Sequence, residues 1–326
     1  MIVKALTHDF KLCAVIDTIS TLSYTEDFQE AGELSMTLPF KKELYQILKP
    51  PCRLLIEDLI FNVDKIHASE SEIRVHGSGI FKEFEQFYIS MPEEQNASPA
   101  QILYSMASRA SFEGISYGVY GLAVPDERVC EIYEWCRDLY GIMTQLCFDY
   151  DLGLRMVYDF NGGELRFHIL DVRDRATNSA TTYTTISDSR ESYAQIESVC
   201  DISNYKSFVE LIYKINSLDE LVSYTFNRCP GDESPRRYIE YPHLLPAGDN
   251  ELYSMFNTRA NQIFKERRKK QYYRVTLLGE PLHRVGDLCY VESSALGEHE
   301  WALLTRREVS LIDAHRTEAL ILEVRK

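Results

Sequence analysis

Alternating apolar and polar positions dominate the first 91 residues and predict β-strands there. Residues 12–24 are rich in apolar and β-branched side chains, and further strands are predicted near 33–38, 53–60, 60–68 and 72–78. Leu34, Met36 and Leu38 stand at every second position, so they face one side of a strand. These antiparallel strands, with one short helix among them, predict a small closed or nearly closed barrel.

Four stretches carry the apolar spacing or the cap signals of helices, at 40–48, 98–109, 129–148 and 250–268. The first ends before Pro50-Pro51, because a proline disfavours helical geometry in the preceding residue. The second opens on Ser98-Pro99-Ala100-Gln101, a capping-box spacing with proline at the first helical position. The predicted inward residues are Phe40, Leu44, Ile47 and Leu48 in the first, Ile132, Trp135, Leu139, Ile142, Met143 and Leu146 in the third, and Leu252, Met255, Phe256, Ile263 and Phe264 in the fourth.

Strand signals return after the third of these helices. Asn161-Gly162 predicts a two-residue turn between strands at 154–158 and 165–169. Later strands are predicted at 183–186, from 196, at 207–213, and at 272–278, 287–293, 301–306 and 317–325. Repeated prolines and glycines in 228–250 predict a long loop or a partner-binding excursion.

These elements predict an α+β fold that is mainly β, with two barrel-like antiparallel β domains and an α+β insertion between them. We place the first barrel-like domain at 1–91 and the insertion at 92–178, after a polar linker at 91–96. The second barrel-like domain, with a long loop and a helix, then occupies 179–326.

Composition indicates a folded chain that does not hold nucleic acid tightly. Of the 326 residues, 45% are hydrophobic and 12% aromatic, enough to form sizeable cores. The formal net charge of −15 opposes tight binding of phosphates, which depends on clustered cations. Plain solubility explains such a charge, and so does a conduit through which DNA slides without sticking. The basic run from Lys265 to Lys270 fits a helix C-terminus better than a nucleic-acid patch, because cations there complement the helix dipole.

No catalytic, cofactor-binding or metal-binding residue is predicted, and we expect no enzyme. The sequence lacks a nucleophile elbow, a dinucleotide fingerprint and a P-loop. Residues 149–153 begin like a calcium loop but lack its later glycine and glutamate. Asp171, Asp174 and Asp188 are better explained as charged loop residues than as an acid and base pair. The eight cysteines form no CxxC pair, and Cys136 and Cys147 are predicted to pack in a helical core.

The sequence also indicates where the chain is made. It has no secretory leader pattern and no apolar run long enough to span a bilayer, so we expect cytosolic folding without stable membrane insertion. Strand signals continue almost to Arg325-Lys326, so we expect no cell-wall-degrading domain after them.

Three motifs, in order, carry a resemblance to a known family. They are the string from Tyr24 to Pro39 with Gly32-Glu33 at its centre, the strand Ile73–Gly79 with its Gly77-x-Gly79 end, and the late run from Arg284 to Val291 around Gly286-Asp287. Together they resemble the siphovirus-type phage tail hub family, the hub region of tail-tip and tail-associated proteins, which is similar to the baseplate hub of contractile tails. The resemblance covers roughly the whole chain.

The resemblance implies a structural function in a virion tail. A homotrimeric ring would adapt a sixfold tail tube or distal tail ring to a threefold tip and line the channel through which DNA passes without tight binding. The implied partners are the distal tail or tail-tube ring, a tape-measure protein, and tip, spike or receptor-binding proteins. The implied location is the tail tip or baseplate, after assembly in the host cytoplasm. Two alternatives stay open: a receptor- or carbohydrate-binding module, and a tail-associated hydrolase.

Overall fold

The computed structural model describes residues 1–89, 97–110, 112, 115–120, 137–171, 184–188, 193–215, 220–230, 235–240, 249–277, 283–312 and 315–324. The chain divides into two compact units. The first unit comprises Met1–Ser198 and Tyr273–Lys326, and the second comprises Val199–Tyr272, so the second is an insertion in the sequence of the first. No helix among these described residues has the length and apolar character needed to cross a membrane.

Seven strands and one short helix form from residues 1–79: β1 Val3–Thr7, β2 Leu12–Ile16, β3 Thr21–Asp27, β4 Glu33–Pro39, α1 Lys42–Ile47, β5 Cys52–Ile56, β6 Leu59–Ala68 and β7 Glu72–Gly79. Strand β4 alternates as predicted, with Leu34, Met36 and Leu38 buried. Every residue of β5 is buried, because apolar clusters cover both faces of its sheet. The predicted inward role of Phe40 is wrong: Phe40 precedes α1 and is exposed.

The following segment is built from helices that pack on a three-stranded sheet. Its elements are a 3₁₀ helix at Ile80–Gln86, β8 Tyr88–Ile89, α2 Pro99–Ser108, β9 Ser116–Tyr120, β10 Arg137–Asp138, α3 Leu139–Tyr150, β11 Leu152–Asp159 and β12 Glu164–Asp171. The sheet order is β11-β12-β9, with β11 and β12 antiparallel and β9 parallel to β12. Phe81, Phe84 and Phe167 pack together in its core, at ring-centroid distances of 5.4–5.8 Å.

The last part of the chain returns to strands. In chain order the elements are β13 Thr184–Ser187, β14 Tyr193–Asp201, β15 Phe208–Ile215, β16 Glu220–Asn227, β17 Arg237–Glu240, α4 Asp249–Glu266, β18 Lys270–Leu277, β19 Leu288–Ser293, β20 Glu298–Ile312 and β21 His315–Val324. Within the second unit, β16, β15 and β17 form a sheet on which α4 packs through Phe256, Ile263 and Phe264.

One large sheet contains strands from both ends of the chain. Its order is β14-β18-β21-β20-β3-β4-β7-β6-β5-β1-β2, and β19 joins β20 to β13. The antiparallel pairing of β3 with β20 joins the N-terminal strands to the C-terminal ones, and in this pair Tyr24 lies opposite Val309. The predicted α+β, mainly β class is therefore confirmed. The predicted barrels do not close among the described strands, since β2 and β14 stand at the ends of the order and do not pair.

Several predicted boundaries are wrong for identifiable reasons. The helix predicted over 129–148 starts at Leu139, because the Asp138 side chain accepts a hydrogen bond from the Gly141 N–H and caps it; residues 129–136, including Ile132, Trp135 and Cys136, lie outside the described part. The turn predicted at Asn161-Gly162 contains four residues, 160–163, since Asp159 pairs with Glu164 and its carboxylate accepts the Asn161 and Gly162 N–H groups.

The prediction of an irregular stretch at 228–250 is also wrong in part. Arg237–Glu240 forms β17, which pairs in parallel with β15. Strands β9 and β16 had no prediction at all. The division into 1–91, 92–178 and 179–326 stays a prediction, although strand pairing joins its first and last segments.

Candidate functional site

The acidic residues considered from the sequence do not meet in one site. Asp188 accepts hydrogen bonds from the hydroxyls of Ser293 and Ser294, both at 3.0 Å, and from the Ala295 N–H at 3.1 Å. Asp188 therefore stabilises the turn after β19. Asp174 and the Asp171 side chain lie outside the described part, within which no group of three or more His, Cys, Asp or Glu residues is arranged to hold a metal.

The other residues singled out from the sequence have structural roles in helices α3 and α4. Cys147 is fully buried in the core beside α3, as predicted, and burial raises the pKa of its thiol. Asp151, in the sequence that begins like a calcium loop, is the C-cap of α3 in the left-handed conformation. Lys265 lies in the last turn of α4, and the Arg267 guanidinium lies over the Tyr238 ring, 4.1 Å from its centroid.

The most unusual polar feature is a buried ionic junction that connects distant parts of the first unit. Arg307 on β20 is 4% exposed, and its guanidinium contacts three carboxylates. It lies 3.3 Å from Glu26 on β3 and 2.9 Å from Glu57 in the β5–β6 turn, and it donates to Glu318 on β21. Three carboxylates around one buried arginine hold β3, β20, β21 and this turn together.

A second arginine extends the junction into the three-stranded sheet. Arg155 on β11 lies 2.8 Å from Glu26 and 3.2 Å from Asp58. Arg316 on β21 contacts Glu57 at 2.9 Å and Glu318 at 3.1 Å. All three segments predicted from the sequence therefore contribute charged groups to the ionic junction.

Burial and charge act against each other in the ionic junction. Burial raises the pKa of Glu26, although Arg155 and Arg307 pull it down. For Glu57, burial likewise opposes ionisation, but the guanidinium groups of Arg307 and Arg316 outweigh it and hold the pKa of this carboxyl below its usual range. Burial raises the pKa of Tyr24, whose ring packs beside the junction against Phe61. The phenol stays neutral, while the neighbouring carboxylates, against the effect of burial, raise the pKa of Arg307 and Arg316, which keep their charge.

Above the opposite face of the same sheet lies a groove of about 610 Å³. A row of polar side chains crosses five neighbouring strands there, since Thr317, Ser310, Ser23, Ser35 and His76 lie directly opposite one another in turn. Four of the five are hydroxyl groups, which both donate and accept hydrogen bonds. The groove can therefore contact a polar partner.

The sheet β11-β12-β9 carries a further polar surface on the face away from its core. The Tyr120 ring is 41% exposed and stacks on His168 with centroids 5.5 Å apart. Its hydroxyl donates to Glu164 at 2.6 Å, and Glu164 also pairs with Arg166. A Cβ on Gly118 would lie 2.7 Å from this ring, so glycine is what lets the ring lie flat on the strand. We call this set the Tyr120 platform.

Comparison with solved structures identifies the fold. The tail protein from Neisseria meningitidis superposes with a TM-score of 0.61 at 12% identity, and the match covers 99% of this chain and 96% of that one. The prophage tail protein gp18 from Listeria monocytogenes gives a TM-score of 0.55 at 11% identity, covering 100% and 95%. A type VI secretion component from E. coli, described as similar to the T4 tail proteins gp27 and gp5, gives 0.52 at 10% identity, covering 95% and 74%.

No protein-family model matches the chain, and no curated protein matches its sequence. At these identities the structural similarity establishes the fold alone. The chain has the fold of these phage tail proteins, so the resemblance predicted from the three motifs is confirmed at the level of the fold.

Proposed function

We propose that this chain is a structural component of a phage tail, or of a tail-like particle derived from one, and that it acts as the hub of the tip or baseplate. The observation that carries the proposal is the extent of the similarity: the matches cover 96% and 95% of the Neisseria and Listeria tail proteins and nearly all of this chain. A fold shared through one domain is compatible with many functions, whereas an end-to-end match retains every part of the architecture.

In its finer form the proposal is a homotrimeric ring. With segments 1–91 and 179–326 each supplying one β domain, three copies place six similar domains around an axis. Such a ring matches a sixfold tail tube or distal tail ring on one side and a threefold tip on the other, and its interfaces limit its size. The partners in this arrangement are the distal tail or tube ring, a tape-measure protein, and tip, spike or receptor-binding proteins. The location is the virion tail, after assembly in the host cytoplasm.

The mechanism of such a protein is assembly, not catalysis. The ionic junction ties β3, β20, β21 and β11 into one body, so the angle between the ring-forming parts is fixed before partners bind. The net charge of −15 supports a channel that repels DNA and lets it pass without tight binding.

The test is the oligomeric state of the purified full chain and its position in particles. We expect light scattering to give three times the chain mass of 37.8 kDa, with rings or tubes forming when a tail-tube partner is added. Electron microscopy of particles with this chain labelled should then place the label at the tail end. A monomer at high concentration that forms no assembly beside tail partners would contradict the hub.

A second candidate function is glycan binding at the tail tip, and the Tyr120 platform is the observation that favours it. An exposed flat ring flanked by a carboxylate and a guanidinium can pack against a sugar face and bind its hydroxyls. Binding to host cell-wall polysaccharide should be lost in Tyr120→Ala. It should persist in Tyr104→Ala, a matched control that removes another exposed tyrosine, on α2. Equal binding by the two variants would dismiss this candidate.

A further inference from the structure

The two units differ in their balance of charges. Of the 35 Lys and Arg residues in the chain, 11 lie in residues 199–272, and so do 10 of the 50 Asp and Glu residues. The second unit is therefore close to neutral, and the whole negative excess belongs to the first unit. Because a large charge of one sign keeps copies of a protein apart, two copies repel each other through their first units.

Backbone hydrogen bonds bring basic residues from four separate segments to one end of the second unit. The Ser207 N–H donates to the Arg236 carbonyl at 3.0 Å, and the Ser207 carbonyl accepts from the Arg228 N–H at 2.9 Å. The Lys206 N–H donates to the Arg267 carbonyl, also at 2.9 Å. The start of β15, the end of β16, the start of β17 and the end of α4 therefore lie together, and each of them supplies a basic residue.

Aromatic rings hold three guanidinium groups at this end of the unit. A guanidinium over the face of a ring is attracted by the ring, and it loses little freedom when a partner binds. The distances from the guanidinium carbon to the ring centroid are 4.1 Å for Arg267 over Tyr238, 5.1 Å for Arg237 over Phe208 and 5.5 Å for Arg228 over Phe264. The sequence shows the basic run at 265–270 by itself, whereas the fold adds aromatic rings and further arginines to it.

Neither the dipole of α4 nor a local carboxylate accounts for these basic residues. Most of them belong to other elements than α4, and the carboxylates of Glu240 on β17 and Glu266 on α4 pair with Arg259, at 2.8 and 3.5 Å. Between residues that the structure describes, no ion pair involves the three arginines 228, 236 and 237. We call the following set, in which all but Lys206 and Arg267 are exposed, the basic end: Lys206, Arg228, Arg236, Arg237, Arg267 and Lys269.

We propose that the basic end docks on the acidic first unit of a neighbouring copy of this chain. This inference rests on the homotrimer proposed above and names a contact that holds its copies together. Copies that each carry a net charge of −15 repel one another, so a ring needs a surface at which opposite charges meet. Arginine and aromatic side chains suit such a contact, since both are enriched at the centres of protein interfaces.

Charge complementarity favours a second copy over nucleic acid as the partner. A neighbouring copy can add apolar contacts and hydrogen bonds to the ionic ones. The affinity for nucleic acid depends mainly on phosphate contacts, which the net charge of the chain opposes. The first unit of a neighbouring copy is also present in a one-to-one ratio with the basic end.

The experiment measures the dissociation of the trimer of the full chain by light scattering over a dilution series. The test variant reverses three exposed charges of the basic end, Arg236→Glu, Arg237→Glu and Lys269→Glu. The control variant makes the same change in net charge on the first unit, at three exposed lysines, Lys41→Glu, Lys42→Glu and Lys65→Glu. Circular dichroism checks that both variants fold, and glutamine at the same three positions replaces glutamate if the test variant does not.

We expect the Kd of the trimer to rise at least about 100-fold in the test variant, because each close charge pair across an interface contributes about tenfold or more. In the control the Kd should rise less than about fivefold, as for exposed charges outside a contact.

Crosslinking identifies the partner surface directly. A carbodiimide joins lysine amines to carboxylates without a spacer, and trimers are mixed from isotope-labelled and unlabelled copies. We expect crosslinks that join Lys206 or Lys269 of one copy to a carboxylate in the first unit of another, seen as one labelled and one unlabelled peptide.

The possible failures are distinguishable. A wild-type trimer with an equal change of Kd in the test and control variants would overturn this contact and leave the homotrimer standing. Crosslinks within single copies alone would also overturn it, as would a test variant that stays trimeric but loses the wild type's binding to labelled duplex DNA. A wild-type chain that stays monomeric would contradict the homotrimer itself, and this contact with it.

Discussion

At the scale of single residues, the glycines of the two early motifs meet in space. The Gly79 N–H donates to the Gly32 carbonyl at 2.7 Å, and Leu34 lies opposite Gly77 in the β4–β7 pair. A Cβ on Gly32 would lie 1.9 Å from the Thr25 carbonyl oxygen. Glycine is therefore required at this position, because two backbone segments approach too closely for any side chain.

Gly32→Ala should therefore destabilise the first unit strongly. We expect the free energy of unfolding to fall by about 3 kcal/mol, the upper end for forced overpacking, because the atom that the new methyl group meets belongs to the backbone. Gly297→Ala is the control: Gly297 has a φ of 67° but no atom within 4 Å of its added Cβ, so only about 1 kcal/mol is lost. Denaturant unfolding measures both. Equal losses of unfolding free energy in the two variants would show that the close approach of the Thr25 backbone is not the reason why position 32 needs glycine.

Glu57 is the residue of the ionic junction with a predictable pH dependence. Its folded pKa is lowered, so its contribution to stability is present above the unfolded pKa and disappears as pH falls through the folded pKa. Glu57→Gln should cost about 1 kcal/mol at pH 7, and this cost should shrink as the pH falls below the unfolded pKa of the carboxyl. Glutamine keeps the side-chain size at this left-handed position, where φ is 59°. Urea unfolding at several pH values measures the difference in unfolding free energy between the wild type and Glu57→Gln, and the exposed Glu70→Gln is the control. A difference that stays constant with pH would show that the Glu57 carboxylate is not the group that titrates.

At the scale of elements, helix α2 has the cap that its sequence predicts. The Gln101 N–H donates to the Ser98 hydroxyl at 3.3 Å, and the Ser98 N–H donates to the Gln101 side chain at 3.1 Å. Beyond the cap, Ile102, Leu103 and Met106 are buried in the core of the α+β segment. Local hydrogen bonds thus fix where the helix starts, and core packing fixes which side faces inward.

Ser98→Ala should lower the stability of this segment by about 1 kcal/mol, because the Gln101 N–H in the first turn loses its acceptor. Ser98→Asp restores an acceptor and should recover most of the loss. Hydrogen exchange of the first-turn amides of α2 is the measurement, since it reports this helix separately from the β-sheet. Unchanged exchange in Ser98→Ala would mean that core packing alone holds the helix end.

Strand positions follow from the sequence, whereas strand partners do not. Alternation predicts β4 and β7 almost to the residue, because one face of each is buried. It fails for β17, whose four residues lie between prolines and gain their order by pairing with β15. The pairing of β3 with β20 and the convergence of Arg155 and Arg307 on Glu26 depend on long-range contacts. The ionic junction could therefore not be predicted from local pattern.

At the scale of the whole molecule, Arg307 links residues far apart in the chain. Arg307→Met leaves Glu26 and Glu318 buried without this partner, and such a loss costs about 3–5 kcal/mol. We expect a marked fall in the melting temperature of the first unit. Arg274→Met, which breaks the exposed pair with Glu308, should cost under about 1 kcal/mol. Calorimetry compares the two, and similar small losses would show that the ionic junction does not hold the sheet together.

The second unit should be dispensable for folding of the first. Within it, the Lys206 N–H donates to the Arg267 carbonyl at 2.9 Å, so the chain leaves and returns at neighbouring points, which a short linker can bridge. Its apolar cluster is its own, centred on Val209, Leu211 and Ile263. Replacing residues 203–268 by a short Gly-Ser linker should leave one cooperative transition within a few degrees of that of the full chain. Truncation before β20 is the contrast: it removes the partner of β3 and with it Arg307, so cooperative unfolding should disappear. If the linker variant also unfolds without cooperativity, the first unit depends on the second for its stability.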